Sequence, residues 1–398
     1  MIINIIIWFW RFKLVRSPLQ KGAMDFKYGI EHEVAFLRAD GAFADFANTP
    51  YAEFDAIVER LPWYEQDYPQ LRVGDAGIKL KRWYIEGFER FSQDGEVIDC
   101  PPKGIEIRTT VKGSIEGAIA QLSESFGQLC EQASKDGFSP ALISFHPYRN
   151  EFVASPPLNE FERSRRQESP EMQTAHIPML TQGPDLNLSA QGLTPAELID
   201  IGQKLTFYSP FIVPFSFSSP FYLGKPWLGL SARTYYRTGV RPAAMVFVAN
   251  ELNSIDSTPS LTQIARVPAE VGRIEFKAFD SCGDFELYGC LLSLLKGLIL
   301  DKTLSGRALV PDAKLHQQSA QSGFDNELIY SEAQKVLEAA FAVTEDSLDT
   351  NRLERLQSML HSRYSPAKDM LDDYRRGCSI VEVLSRGYRA SSTQAVVA

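Results

Sequence analysis

The sequence predicts an α+β protein built on an antiparallel sheet, and three features of the chain lead to this prediction. Three segments alternate apolar with charged residues: Gly29–Glu33, Gly104–Arg108 and Arg273–Lys277. Such an alternation is typical of strands with one buried face. Asp94-Gly95 is a strong hairpin signal between two further strand patterns. Helical patterns are grouped between sets of strands, which favours an antiparallel sheet over a doubly wound one.

The other elements follow from periodicity and turn residues. Arg82–Phe91 alternates and precedes the hairpin turn, and the next strand leads into Pro101–Thr110. Ser114–Ser134 has the apolar spacing of a helix, and Pro140–Tyr148 has the pattern of a strand. Residues 149–172 are polar and contain Pro-Pro and a run of arginines, which predicts an exposed loop.

The three charged segments are expected to present their charges on one face of the sheet. Successive side chains of a strand point to opposite faces, so the apolar residues of these segments face the core. The other face then receives Glu31, Glu33, Glu106, Arg108, Arg273, Glu275 and Lys277. Like charges on neighbouring strands repel each other. A divalent metal and a phosphorylated substrate would relieve this repulsion, and a solvated sheet face is the alternative.

Composition limits the class of protein. The 398 residues are 44% hydrophobic and 23% charged, which is typical of a soluble globular protein. A formal net charge of −9 argues against binding nucleic acid through its phosphates. The five cysteines are widely spaced without a CxxC pair, so free thiols in a reducing cytoplasm are expected. A disulfide between Cys282 and Cys290 stays open.

Common nucleotide and hydrolase motifs are missing from the sequence. It contains no GxxxxGK[ST] loop, no GxGxxG after a strand, no HExxH helix and no GxSxG elbow. If the protein uses ATP, it must do so through metal ions on carboxylates and through arginines that bind phosphates.

The chain carries four distinctive segments in order: Gly29–Glu33, Gly183–Ser189, Ser219–Arg233 and Arg273–Asp280. Together they resemble the glutamate-cysteine ligase and carboxylate-amine ligase superfamily. Gly29–Glu33 is similar to its GxExE opening, and Gly183–Ser189 to a strand that carries an asparagine. Ser219–Arg233 resembles its SPFxxGKP segment, and Arg273–Asp280 its IExRxxD strand. The resemblance implies a glutamine synthetase-like catalytic domain, in which a six-stranded antiparallel sheet curls into a funnel packed with helices.

The resemblance also implies an activity. Ligases of this superfamily use ATP to convert a carboxylate into an acyl phosphate, which an amine attacks to form an amide. The expected function is glutamate-cysteine ligase, which forms γ-glutamylcysteine in glutathione biosynthesis, with ATP and Mg²⁺ required. Partners are then small molecules, with no membrane or nucleic acid involved, and a homodimer stays open. A ligase for another amine and a degenerate ligand-binding protein of the same fold are the alternatives.

The candidate site residues fall into three groups by expected role. Mg²⁺ prefers oxygen ligands, and the metal candidates are Glu31, Glu33, Glu106 and Glu275. Phosphoryl transfer requires neutralisation of charge on the moving group, and the catalytic candidates are Arg108, Arg233 and Lys277. The candidates for binding substrate or ATP are Arg237, Asn187, His146 and Asp185. Simple salt bridges of Arg108 and Lys277, and a structural role of His146, are the alternatives.

The chain departs from the superfamily pattern at three places. Asp185 stands where several relatives have histidine or glutamine, and Lys277 stands where arginine is usual. A lysine offers a point charge instead of a planar fork. Trp227 with Leu228 enlarges the SPFxxGKP segment. These departures leave the identity of the amine open.

The domain organisation is predicted as one catalytic unit with additions at both ends. Residues 25–308 are expected to form the ligase domain, and 309–398 a helical layer of the same domain with a frayed tail from about Arg389. Residues 1–24 are interpreted as a disordered extension or as sequence upstream of the true start. Their apolar run is too short to cross a bilayer and lacks a cleavage pattern.

Overall fold

The computed structural model of the protein describes residues 24–74, 76 and 78–388. These residues form thirteen strands and twelve helices. The strands are β1 Phe26–Arg38, β2 Phe43–Ala44, β3 Trp83–Gly87, β4 Arg90–Phe91, β5 Val97–Asp99, β6 Pro102–Arg108, β7 Phe138–Ala141, β8 Pro184–Ala190, β9 Phe221–Tyr222, β10 Lys225–Pro226, β11 Ala244–Val248, β12 Thr262–Ile264 and β13 Ile274–Phe276. The helices are α1 Tyr51–Arg60, α2 Ile115–Ser134, α3 Glu160–Arg165, α4 Pro170–Gln173, α5 Pro195–Ile212, α6 Ala232–Arg237, α7 Phe285–Leu300, α8 Ala313–Ser322, α9 Glu327–Val343, α10 Ser347–His361, α11 Pro366–Arg375 and α12 Ile380–Ser385. The predicted N-terminal extension and C-terminal tail lie outside the described residues, apart from Met24.

The main sheet confirms the predicted α+β class. Its strand order is β12-β11-β13-β8-β1-β6-β3, and β2 and β7 pair with the far end of β1. The sheet curls and packs with helices. The sheet has nine strands and not the six predicted. β12 adds to the edge strand β11, and β2 and β7 pair with the part of the 13-residue β1 that extends beyond β6 and β8. The pairing of β12 with β11 is parallel and the other pairings in this sheet are antiparallel.

The strand register separates an apolar face from a charged one, as predicted. On β1, Ile30 and Val34 are fully buried in the core, and they alternate with Glu31 and Glu33. Glu31 lies opposite Arg108 on β6, and Glu33 lies opposite Glu106 on the same strand. Because side chains opposite each other across a ladder share a face, the register brings these charged residues together.

Helices cover the apolar face and form the core with it. The central helix, α7, is apolar around most of its circumference, which is typical of a helix buried on all sides. It packs against α2, α9 and α10, while α2 contacts β1 and α5 contacts β11. The charged face of the sheet is left on the opposite side.

The predicted loop of residues 149–172 is partly helical. Asn159 begins α3 with a capping box, in which its side chain accepts from the Glu162 N–H and the Glu162 carboxylate accepts from the Asn159 N–H. Glu162 is buried and its Oε1 lies 2.7 Å from Nε of Arg90 on β4. This ion pair ties the segment to the strands, a contact that local polarity does not reveal.

The buried His316 of α8 predicts a pH dependence of stability. Its Nδ1 lies 2.8 Å from the Asp312 carbonyl and its Nε2 lies 2.9 Å from Ser209 Oγ. Burial lowers its pKa from 6.5 to about 4. Between these two pH values the unfolded chain binds more protons than the folded one, so stability falls as pH drops through this range.

In the parent protein, His316 should make the free energy of unfolding fall by about 3 kcal/mol between about pH 7 and about pH 4. We expect this part of the fall to be absent in His316→Gln. Urea unfolding at both pH values measures it. The exposed His361→Gln is the control, because His361 lies on the surface of α10. The same pH dependence in both variants and the parent protein would contradict the expectation.

Candidate active site

The charged face of the sheet forms the floor of a cavity of about 1090 Å³, part of which is open to solvent. Side chains of β1, β3, β6, β8 and β13 line it, together with arginines on and after α6. All four glutamates predicted as metal ligands line this cavity. The structure groups them into two separate clusters and not into one.

The first carboxylate cluster consists of Glu31, Asp185 and Glu275. One carboxylate oxygen of each lies within 4.8 Å of the others. The register explains the cluster, because Glu31 lies opposite Asp185, and Glu275 is on the next strand. Two cations accompany it: Nζ of Lys277 contacts Asp185 and lies 3.2 Å from Glu275, and Arg273 lies 3.4 Å from Glu31.

The second carboxylate cluster consists of Glu33, Glu86 and Glu106, again with oxygens within 4.8 Å of one another. Nζ of Lys103 lies 2.7 Å from Glu33, and the N–H of Gly183 donates to the same carboxylate at 2.8 Å. Within the described residues, no basic side chain forms an ion pair with Glu86 or Glu106. Among the described residues, the ion pairs of this cluster therefore involve Glu33 and Lys103 alone.

The two clusters differ in electrostatics. Burial, and next the neighbouring Glu86, raise the pKa of Glu106 well above its ordinary value. Burial also raises the pKa of Glu275, to about 7, against the opposing effect of Lys277. Asp185 differs, since Lys277 outweighs burial and lowers its pKa. The second cluster thus has less compensation of its carboxylates by ion pairs, and Glu106 is the member whose charged form is least favoured.

The second cluster fits a divalent cation of the Mg²⁺ type. It offers three hard oxygen donors close together, which is the ligand type that Mg²⁺ prefers. Tyr84 stands opposite Glu106 on β3 and is 2% exposed, and its hydroxyl makes no hydrogen bond with a described residue. The donors of the first cluster are also oxygens, but the ammonium of Lys277 already contacts two of them.

A row of arginines faces the clusters. Arg233, Arg237 and Arg241 are spaced four residues apart and line the cavity. The guanidinium of Arg233 donates to the carbonyls of Lys277 at 2.9 Å and Ala278 at 3.2 Å. Arg233 therefore fixes the backbone beside Lys277, while its Nε is buried without a hydrogen-bond partner among the described residues.

Arg237 is the residue of this row best suited to bind an anion. It is 4% exposed and donates one hydrogen bond, to the Pro242 carbonyl at 3.1 Å. It makes no ion pair with any described residue. Burial, and next Arg233 and Arg241, hold its pKa well below the usual range. A buried guanidinium without a carboxylate is costly unless a bound anion compensates it.

A second cavity, of about 740 Å³, adjoins the first and shares Glu31, Arg72, Glu270 and Arg273 with it. The predicted residues Arg108 and Asn187 line this neighbour. Both residues therefore lie outside the cavity whose floor carries the carboxylate clusters.

Arg108 is anchored by backbone carbonyls, at 3.0 Å from Lys81 and 3.0 Å from Arg72, so its guanidinium holds the segment before β3. Asn187 Oδ1 is buried without a hydrogen-bond partner, which leaves one acceptor for a ligand.

His146 does not line either cavity. Its Nε2 lies 2.9 Å from Asp45 Oδ2, and its Nδ1 accepts the N–H groups of Tyr148 and Arg149 at 3.1 and 3.0 Å. Both ring nitrogens are therefore occupied by the fold. These contacts favour the structural alternative for His146, and its contact with substrate stays a prediction.

Three residues that line the cavity were not predicted from the sequence: Tyr84, Glu86 and Arg241. Tyr84 and Glu86 are two apart on β3, on the face that bears Glu106. The alternation of Arg82–Phe91 was the signal that could have found them. Arg241 follows Arg237 by one further four-residue step, beyond the end of α6.

Comparison with known proteins supports the fold assignment. No protein-family model matches the chain and no curated protein matches it. A bifunctional glutathione synthetase from Pasteurella multocida is similar in structure, with a TM-score of 0.53, 12% identity, and 91% of this chain and 51% of that chain covered. A glutamate-cysteine ligase from Francisella tularensis, in complex with AMP, has a TM-score of 0.54 and 13% identity, with 94% and 91% covered.

The predicted resemblance to these ligases is thus confirmed at the level of the fold. The chain spans about half the length of the glutathione synthetase and most of the glutamate-cysteine ligase. No described helix is both long and apolar enough to cross a membrane. All five cysteines are free thiols.

Proposed function

We propose that this protein is an ATP-dependent carboxylate-amine ligase. The observation that carries the proposal is a single cavity in which two carboxylate clusters face buried arginines. Phosphoryl transfer depends on positioning and on neutralising the charge of the moving group, and these side chains supply both. Glu33, Glu86 and Glu106 would hold a divalent ion, and such an ion would supply neutralisation of phosphate charge.

Other side chains of the two cavities would bind the substrates. Arg237 and Arg241 would bind phosphate or carboxylate oxygens, since guanidinium groups match both. The ammonium of Lys277 would lie near the transferred group, on a backbone that Arg233 holds in place. The adjoining cavity, with Tyr28, Leu71 and an unpaired Asn187 oxygen, suits a nucleoside.

The proposed reaction transfers the γ-phosphoryl group of ATP to a carboxylate oxygen, and ADP leaves. The amine nitrogen then forms a bond to the acyl carbon, phosphate leaves, and the nitrogen loses a proton. Glutamate and cysteine are the substrates that we propose first, giving γ-glutamylcysteine for glutathione biosynthesis in the cytoplasm. The similar fold of a glutamate-cysteine ligase supports this choice.

A turnover assay tests the proposal. The protein is incubated with MgATP and glutamate, single amines are added, and ADP and phosphate are measured. We expect release of both only when an amine is present, with cysteine the most effective. Another preferred amine would keep the ligase class and replace cysteine. Nucleotide binding without turnover for any amine would favour a degenerate binding protein instead.

A further inference from the structure

The first carboxylate cluster already contains a cation that belongs to the chain. Nζ of Lys277 contacts Asp185 Oδ2 and lies 3.2 Å from Glu275 Oε1. Its side chain is 16% exposed, so the ammonium group is largely removed from water. It therefore lies where a metal ion shared by these two carboxylates would lie.

The position of the Lys277 ammonium group is supported by a backbone that hydrogen bonds hold in place. Its N–H donates to the Ala243 carbonyl at 2.8 Å, and its carbonyl accepts from Arg233 at 2.9 Å. The third carboxylate, Glu31, has Arg273 at 3.4 Å. Each member of the first cluster thus has a cationic partner within the chain.

The second cluster lacks this internal compensation. Nζ of Lys103 forms an ion pair with Glu33, at 2.7 Å, and also donates to the Thr181 carbonyl at 2.8 Å. Among the described residues, no ion pair reaches Glu106, which is 5% exposed. The hydroxyl of Tyr84, which is 2% exposed, faces the same cavity without a hydrogen bond to any described residue. A carboxylate without a basic partner and a hydroxyl without a hydrogen bond among the described residues thus line the same part of the cavity, which favours a ligand at this place.

We propose that the ammonium group of Lys277 replaces a divalent ion in the first carboxylate cluster, so that the protein without nucleotide binds one divalent ion tightly, in the second cluster. A divalent ion in the first cluster would have to displace the ammonium or lie beside a like charge. The inference deepens the proposed function, because it concerns the metal requirement of the same cavity.

Binding of Mn²⁺ alone tests this, since Mn²⁺ takes the same oxygen ligands as Mg²⁺. Calorimetry and the paramagnetic resonance signal of free Mn²⁺ count the sites. We expect one tight site in the parent protein and two in Lys277→Met. Glu106→Gln is expected to weaken the tight site by more than about 100-fold. This exceeds the loss of affinity that is typical when a residue that only supports a metal ligand is replaced. The variant that combines Lys277→Met with Glu106→Gln should have one tight site, in the first cluster.

Lys296→Met is the matched control, because Lys296 pairs with Asp349 at 2.6 Å away from the cavity. It should keep one site. Thermal unfolding checks each variant, with Lys277→Gln and Glu86→Gln as replacements for a variant that fails to fold. Two equally tight sites in the parent protein, no tight site there, or no gained site in the Lys277 variant would overturn the inference.

This outcome is separate from that of the turnover assay. No nucleotide or amine enters the binding measurement, so a protein without ligase activity can still give the expected pattern. Conversely, an active ligase that binds two ions tightly before nucleotide would refute the role of Lys277 and leave the proposed function intact.

Discussion

Replacing Glu106 by glutamine is expected to lower the rate of ATP turnover by about 1000-fold and to leave the protein folded. Glu106 is buried beside Glu33 and Glu86 without a cationic partner among the described residues. A neutral amide removes the negative charge that would bind a divalent ion and relieves repulsion within the cluster. The release of ADP and phosphate measures the first effect, and thermal unfolding measures the second.

Glu116→Gln is the control for this variant. Glu116 pairs with Arg352 at 2.6 Å on the surface, outside the cavity. Its loss should leave turnover within about twofold, since surface ion pairs contribute little. Turnover of Glu106→Gln close to that of the control would show that Glu106 does not bind a required ion.

Replacing Arg237 by methionine is expected to change activity and stability in opposite directions. A hydrogen-bonded charged contact contributes roughly 1.5–3 kcal/mol, so kcat/KM should fall by about 10–100-fold. Because Arg237 is buried and has no carboxylate partner among the described residues, the free energy of unfolding should rise by about 1 kcal/mol. Steady-state kinetics and urea unfolding measure the two effects.

The substrate whose KM rises in this variant identifies the anion that Arg237 binds. Arg237→Lys should recover part of the activity, because it keeps the charge and loses the planar fork. Arg60→Met is the control, since Arg60 pairs with Asp136 at the surface. A loss of both activity and stability would indicate that Arg237 is structural.

The sequence predicted the face of the sheet well because strand alternation is a local property. Glu31 and Glu33 are two apart on one strand, and this alone places them on the side opposite Ile30. The division into two clusters was not predictable in this way. It depends on which residues lie opposite each other, such as Glu31 with Asp185, and register is set by tertiary pairing.

Other differences have a similar physical cause. His146 follows a strand pattern, but that strand pairs with the far end of β1 and not over the cavity. The conformations of Arg233 and Arg108 depend on carbonyls from distant segments, which no local pattern reports. Glu86 was recognisable by its alternation, and its importance became clear only from its proximity to Glu106.

The central position of β1 has a consequence for how this protein can vary. The same strand supplies the buried Ile30 and Val34 and the cavity residues Glu31 and Glu33. Inserting or deleting one residue before Ile30 would exchange the two faces of the strand from that point on. The carboxylates would then point into the apolar core and the aliphatic side chains into the cavity. One such change would remove the cavity carboxylates and disrupt the core together. Insertions and deletions are therefore expected to be tolerated outside β1 and not within it.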